Sequence, residues 1–360
     1  METSARREPG VITPRQIYER LDAFVIGQSA AKRAVAIAAY NHLKRVRARR
    51  TRRQSLLRKS NLLLIGPTGS GKTHLSRQLA QILEVPFTTV DATEYTEAGY
   101  YGKDVEMMVA ELMLRADHVL EEAQRGIIFI DEIDKIARRT QGARNGAGAR
   151  DIGGEGVQQA LLKLLEGREV QVPVQVSAGW HRSETVTLNT EDILFICAGT
   201  FSDLYNEDHQ GRVREVGFGA QARQAERRSR RTLTTQELVS YGMLSELLGR
   251  LPVSVHLQPL QEDELLEILT GPPDAMVREY TELLALDGIE VTFSEDALRA
   301  VVRHSQSRGL GARGLRGILE HVMSDLMFTA PELRESQVRV DVDWVRPRLA
   351  GSGEGVATLH

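Results

Sequence analysis

Cysteine is nearly absent from this sequence: Cys197 is the one thiol among 360 residues. No intrachain disulfide can form, and a zinc site built on several thiolates is excluded, so no zinc is expected. Long apolar runs are missing too. No stretch reaches the roughly 18 apolar residues that a membrane-crossing helix needs. Residues 1–10 are polar and carry no apolar core of a targeting segment. No membrane partner is expected, and the expected location is the cytoplasm. Charge of one sign is also lacking. Lys and Arg number 46 against 49 Asp and Glu, a net of −3, so no global field draws the chain to nucleic acid or anionic lipid. Neither a Gly-x-Ser-x-Gly elbow nor a His-Glu-x-x-His helix occurs, so the chain has no peptidase centre of its own.

What is present is ample for a folded core, with 41% apolar residues in a length that accommodates two domains. Thr13-Pro14 opens a short helix through about Leu21, and a second helix is expected from Gln28 to about Arg47. A basic stretch, 44–59, follows. It has no interleaved aromatic residues to stack bases, so it reads as a solvated helix end and loop. From Asn61 the pattern becomes α/β. Leu62 to Ile65, Phe87 to Val90, Ile127 to Ile130 and Ile193 to Ile196 are short apolar runs of the kind buried in parallel sheets. One apolar stripe predicts a single helix from about Asp104 to Gln124. Beyond Pro252 the character is helical, with helices expected over 260–286, 294–306 and 311–328. Ile289, Val291 and Val338 to Val342 supply a small strand pair. Strands alternating with helices imply a parallel sheet covered on both faces. The expected organisation is a tail at 1–12, a large α/β domain at 13–257, a smaller, mostly helical domain at 258–349 and a disordered tail at 350–360.

The first chemical motif is Gly66-Pro67-Thr68-Gly69-Ser70-Gly71-Lys72-Thr73. Its glycines let backbone N–H groups turn inward around phosphate oxygens. Lys72 reaches the β and γ phosphates, and the Thr73 hydroxyl holds Mg2+. A buried strand precedes it and a helix follows, the context in which this pattern binds ATP. The second motif is the strand end Asp131-Glu132. Asp131 completes the magnesium shell, partly through water. Glu132 sits where a carboxylate accepts a proton from attacking water. Two carboxylates beside a metal point to hydrolysis rather than binding alone.

These blocks, with several others, resemble the ClpX family of AAA+ unfoldases over about residues 13–345. Phe24-Val25-Ile26-Gly27-Gln28 is similar to the family's adenine-pocket segment, which implies nucleotide contacts by Val25 and Ile26. Gly154 to Gln159 is similar to the start of the helix after its second pore loop. Gly249-Arg250-Leu251-Pro252 resembles the arginine-finger block, and Gly311 to Arg316 the sensor-2 block. The resemblance implies that Arg250 acts on a neighbouring subunit's phosphate. It implies that Arg313 contacts the γ-phosphate and that Thr200 is the sensor-1 position. A finger acting in trans implies a ring, here a homohexamer. Gly99-Tyr100-Tyr101-Gly102 resembles the first pore loop, where aromatic rings grip unfolded or tagged protein substrates by area rather than by sequence. Val216-Gly217-Phe218 resembles the tripeptide that docks on a ClpP-type protease ring.

The chain departs from the family in places. Nothing in it matches the family's cysteine-rich zinc-binding domain. Gly179-Trp180-His181-Arg182 stands where an Arg-Lys-His cluster is usual, Tyr101 where Val is usual, and Val216 where Ile is usual. The Val216 change removes one methylene, about 0.8 kcal/mol of burial. The related HslU unfoldase carries an inserted domain for which this chain has no room. Two rival readings stand beside the unfoldase: a remodeller that works without a protease, and a nucleic-acid-acting AAA+ ATPase suggested by residues 44–59. The Tyr100-Tyr101 and Val216-Gly217-Phe218 motifs favour protein over nucleic acid.

Overall fold

The computed structural model describes residues 12–50, 58–96, 103–138, 154–174, 184–206, 232–333 and 337–351. The tails expected at the two ends, apart from Ile12, Ala350 and Gly351, lie outside the described residues. Two compact units are present. One comprises residues 1–21, 29–66 and 72–256; the other comprises 22–28, 67–71 and 257–360.

The first unit opens with α1 (Pro14–Phe24) and α2 (Ser29–Arg50). There follow β1 (Leu62–Ile65), α3 (Lys72–Leu83), β2 (Phe87–Asp91) and the short strands β3 (Tyr95–Thr96) and β4 (Lys103–Asp104). Next come α4 (Met107–Arg115), α5 (Leu120–Ala123), β5 (Ile127–Asp131), α6 (Gly154–Glu166), β6 (Glu169–Val174) and β7 (Glu184–Asn189). The unit ends with β8 (Leu194–Gly199), α7 (Ser202–Asn206), two short helices (Thr235–Tyr241, Ser245–Gly249) and β9 (Val253–His256). Five strands form a sheet in the order β2-β5-β8-β1-β9, and every pairing is parallel. The apolar runs explain this. All four residues of β1 and all six of β8 are buried, as strands covered on both faces must be. Helices α4 and α6 contribute Met108, Val109, Leu112, Leu161 and Leu164 to the same core as Ile128, Ile130 and Phe195.

The register sets the functional edge. Ile65 of β1 lies beside Gly199 of β8, Ile130 of β5 beside Cys197, and Asp131 beside Asp91 of β2. The carboxyl ends of the strands therefore share one edge, where open α/β sheets bind ligands.

The second unit packs helices Glu262–Thr270, Met276–Ala285, Glu295–Ser307, Ala312–Thr329 and Val342–Gly351 around Leu265, Leu269, Leu284, Val301, Val302, Leu315, Leu319 and Val322. The strand pair expected there is present: β10 (Glu290–Phe293) runs parallel to β11 (Gln337–Val340).

Two expected helices are broken. The one predicted over 104–124 stops at Arg115, because Asp117 and His118 adopt left-handed backbone, φ 49° and 61°. The chain turns there, and the His118 N–H caps the Met113 carbonyl at 3.0 Å. The apolar stripe hid the break because it resumes in phase at Leu120. The helix predicted over 260–286 is interrupted at Gly271-Pro272-Pro273, where proline supplies no N–H to continue the ladder.

Candidate active site

The loop from β1 into α3 begins with the Gly66 N–H donating to the Gly199 carbonyl at 3.2 Å. Gly69 and Gly71 have φ of 77° and 92°, which residues with a Cβ adopt at a cost. A Cβ built on Gly71 meets nothing within 4 Å among the described residues. Ser70 is buried, and its hydroxyl has no partner among the described residues.

Lys72 opens α3 and is 7% exposed. Its ammonium donates to the Gly66 carbonyl at 2.7 Å. Burial lowers its pKa, and the charges of Asp131 and Asp134 oppose that shift. The Thr73 hydroxyl lies 3.4 Å from the Asp131 carboxylate. The other Asp131 oxygen accepts the Glu132 N–H at 2.9 Å. Glu132 is exposed, with φ of 56°, so its side chain leaves the strand direction just where β5 ends. This donor and acceptor set suits a nucleoside triphosphate with a hard divalent cation. Within the first unit it offers a buried ammonium and a hydroxyl beside a carboxylate.

Thr200 follows β8. Its hydroxyl donates to Asp134 at 2.9 Å, and the Phe201 N–H donates to the same oxygen at 3.1 Å. Lys72, Thr73, Asp131, Glu132 and Thr200 are thus gathered at one sheet edge.

In the second unit, Val25 is buried and Ile26 partly so. Gln28 fixes that segment: its side chain donates to the carbonyls of Gln258 at 2.7 Å and Ser70 at 3.4 Å and accepts the Gln258 N–H at 2.9 Å. Arg313 is exposed in the first turn of helix Ala312–Thr329, while Arg316 makes a two-pronged contact with Glu279 at 3.0 and 2.8 Å. Arg250 is exposed and held by Glu166 at 2.6 Å. Its carbonyl accepts from Asn61 at 3.1 Å, and Asn61 precedes β1. Arg250 is therefore at the far end of β1 from Gly66. Tyr100, Tyr101, Val216, Gly217 and Phe218 lie outside the described residues, as does the 179–182 segment.

Sequence reasoning missed Asp134, Asn61, Gln28 and Glu166 as organising residues. Asp134 had a visible signal, a carboxylate three positions after Asp131 and next to Ile133. Its partner, 66 residues away, had none.

Residues 57–254 match the family described as AAA domain (Cdc48 subfamily), and residues 260–341 match the C-terminal, D2-small domain of ClpB protein. The ATP-dependent Clp protease ATP-binding subunit ClpX of Porphyromonas gingivalis W83 is 43% identical over 352 residues, covering 97% of this chain and 85% of that protein. The ATP-dependent Clp protease ATP-binding subunit ClpX 2 of Wolinella succinogenes is 44% identical over 333 residues, covering 92% of this chain and 81% of that protein. The chain thus belongs to the ClpX family of AAA+ ATPases, enzymes that bind ATP and Mg2+.

Proposed function

We propose that this chain is an ATP-driven protein unfoldase that assembles as a homohexamer in the cytoplasm. It threads unfolded or tagged proteins through the ring and delivers them to a ClpP-type protease. The proposed division is an ATPase domain at 13–257 and a lid domain at 258–349, flanked by tails at 1–12 and 350–360, with no zinc. Among the described residues, no helix is long and apolar enough to cross a membrane, which agrees with this reading. The relatives' names support the protease partnership.

The observation that carries the ring is the position of Arg250. Its backbone is bonded to Asn61, at the opposite end of β1 from Gly66. A four-residue strand is about 13 Å long. The arginine is thus separated from its own phosphate loop by the length of the sheet and suits a neighbour's site.

ATP is the substrate, and a magnesium ion held by Thr73 and Asp131 would supply neutralisation of the phosphate charge. Lys72 places its ammonium against the terminal phosphates, with Gly66 as its rest position. The Thr73 hydroxyl and the Asp131 carboxylate hold the cation. Glu132 takes a proton from the attacking water at its exposed carboxylate. Thr200 senses the terminal phosphate, with Val25 and Ile26 against the base and Arg313 answering from the lid domain. Tyr100 and Tyr101 grip substrate, and Val216, Gly217 and Phe218 dock on the protease; these two roles rest on motif alone.

The test is the Glu132→Gln variant. ATP affinity should be kept while turnover falls by about 10²–10⁴-fold. Its stalled rings should hold substrates and the ClpP-type protease in a pull-down, with the protease lost on adding Phe218→Ala. Normal turnover would remove Glu132 as the base. Stalled rings holding substrates without protease would make the chain a protease-independent remodeller.

A further inference from the structure

Asp134 is not among the groups that touch nucleotide in the reading above, yet it is the most buried carboxylate at this edge, 3% exposed in the turn 133–136 after β5. We infer that Asp134 is a positioning residue for ATP hydrolysis, holding the Gly199–Phe201 corner and, through it, the start of the phosphate loop and Lys72. The inference rests on the site reading for Lys72 and Thr200.

Four observations on this corner agree. One Asp134 oxygen accepts both the Thr200 hydroxyl and the Phe201 N–H, at 2.9 and 3.1 Å. That pair of bonds fixes Thr200 on both sides, through its own side chain and the next peptide. The other oxygen lies against residue 199 so closely that a Cβ there would sit 2.8 Å from it, so only glycine fits. Phe201 is fully buried with φ of 50°, a conformation an aromatic residue keeps only when its surroundings over-determine it. Its ring meets Tyr241 edge-on at 5.5 Å, and its N–H is held by Asp134, so the corner is clamped from two directions.

The clamp then reaches the phosphate loop. The Gly199 carbonyl accepts the Gly66 N–H at 3.2 Å, and the Gly66 carbonyl accepts the Lys72 ammonium at 2.7 Å. From Asp134 to Lys72 there is a continuous series of hydrogen bonds and one short peptide segment. A buried carboxylate used only for packing would not need this route; its effect would end at fold stability.

The test compares Asp134→Ala with Asp134→Asn in the assembled full-length chain. The amide keeps an oxygen that accepts both bonds; alanine keeps none. We expect Asp134→Ala to lower kcat by about 10²-fold, the scale of a misplacement near 1 Å, with KM and fluorescent-nucleotide affinity within about threefold. Asp134→Asn should recover most of the rate. A folded Asp134→Ala ring with kcat within threefold of the parent overturns the inference, as do equal losses in the two variants.

If Asp134→Ala does not fold, a cycle of Asp134→Ser, whose hydroxyl is too short to accept both bonds, with Thr200→Val decides. Their losses should be non-additive because both act on one bond, and additive losses overturn the proposal. Glu132→Gln is run in parallel: normal turnover there would sink the site reading itself, independently of what Asp134 does.

Discussion

The two ends of the five-stranded sheet solve opposite problems with the same strands. At the carboxyl end, Gly66, Asp131 and Gly199 lead into left-handed residues, Glu132 and Phe201, and into a glycine loop. In the phosphate loop, the Ser70 hydroxyl is buried and has no partner among the described residues. At the amino end, polar groups are bonded to one another. Asn61 donates to the carbonyls of Leu165 and Arg250 at 3.4 and 3.1 Å and accepts the Phe195 N–H at 3.3 Å. Thr190 accepts the Arg168 N–H and donates to the Leu164 carbonyl, both at 3.0 Å. Lys59 donates to the Thr190 carbonyl at 2.8 Å and sits over the Phe195 ring at 4.5 Å. Arg49 pairs with Glu191 and Asp192 at 2.6 and 2.8 Å. One end thus keeps open valence and unusual backbone for a ligand to complete. The other end is cross-linked through side chains, although the Nε atoms of Arg45 and Arg168 are buried without a partner among the described residues, and it carries Arg250 beside Asn61 and Glu166.

Replacing Arg250 tests that division most severely. Arg250→Ala rings should hydrolyse ATP about 10³-fold more slowly, with ATP affinity changed little. Mixing Arg250→Ala chains with Glu132→Gln chains should restore turnover. In mixed rings an intact Glu132 from one chain meets an intact Arg250 from the next. Without such recovery, the assignment of the rear arginine to a neighbour's front edge would fail.

A smaller effect is expected from Asn61→Ala. It leaves one amide and two carbonyls without their side-chain partner in the interior, so chemical unfolding should show a loss of about 3 kcal/mol. Turnover per folded ring should change less than about fivefold, because the phosphate end keeps its bonds. A hundredfold rate loss at unchanged stability would show that the rear is part of the catalytic edge.

What was legible in the sequence was contiguous. Gly66 to Thr73 is a local pattern, and Asp131-Glu132 announces itself at the end of Ile127 to Ile130. Each works through backbone neighbours, and the fully buried runs of β1 and β8 follow from composition alone. What escaped notice joins distant segments. Asn61 bonds a residue 189 positions away, and Gln28 one 230 positions away. Side chains of ordinary polarity carry no sign of such a partner. The α4–α5 break escaped for another reason. Asp117 and His118 occupy left-handed backbone where glycine would have given warning.

The smallest predicted effect concerns the amino end and its response to acid. His42 is buried, and its pKa is lowered to about 3, first by burial and then by the positive charges of Arg45 and Lys59. The unfolded chain takes a proton near 6.5. Between those values the unfolded state binds more protons than the folded one, so stability falls as pH drops through 6.5 toward 3 and is unaffected by this group above that window. Between pH 7.5 and 6 the loss from His42 should be about 1 kcal/mol. His42→Gln keeps a polar group without the titration, so the slope of unfolding free energy against pH should flatten by that amount. An unchanged slope would mean that His42 is protonated in the folded chain and that the amino end of the sheet admits solvent, which would narrow the contrast with the phosphate end.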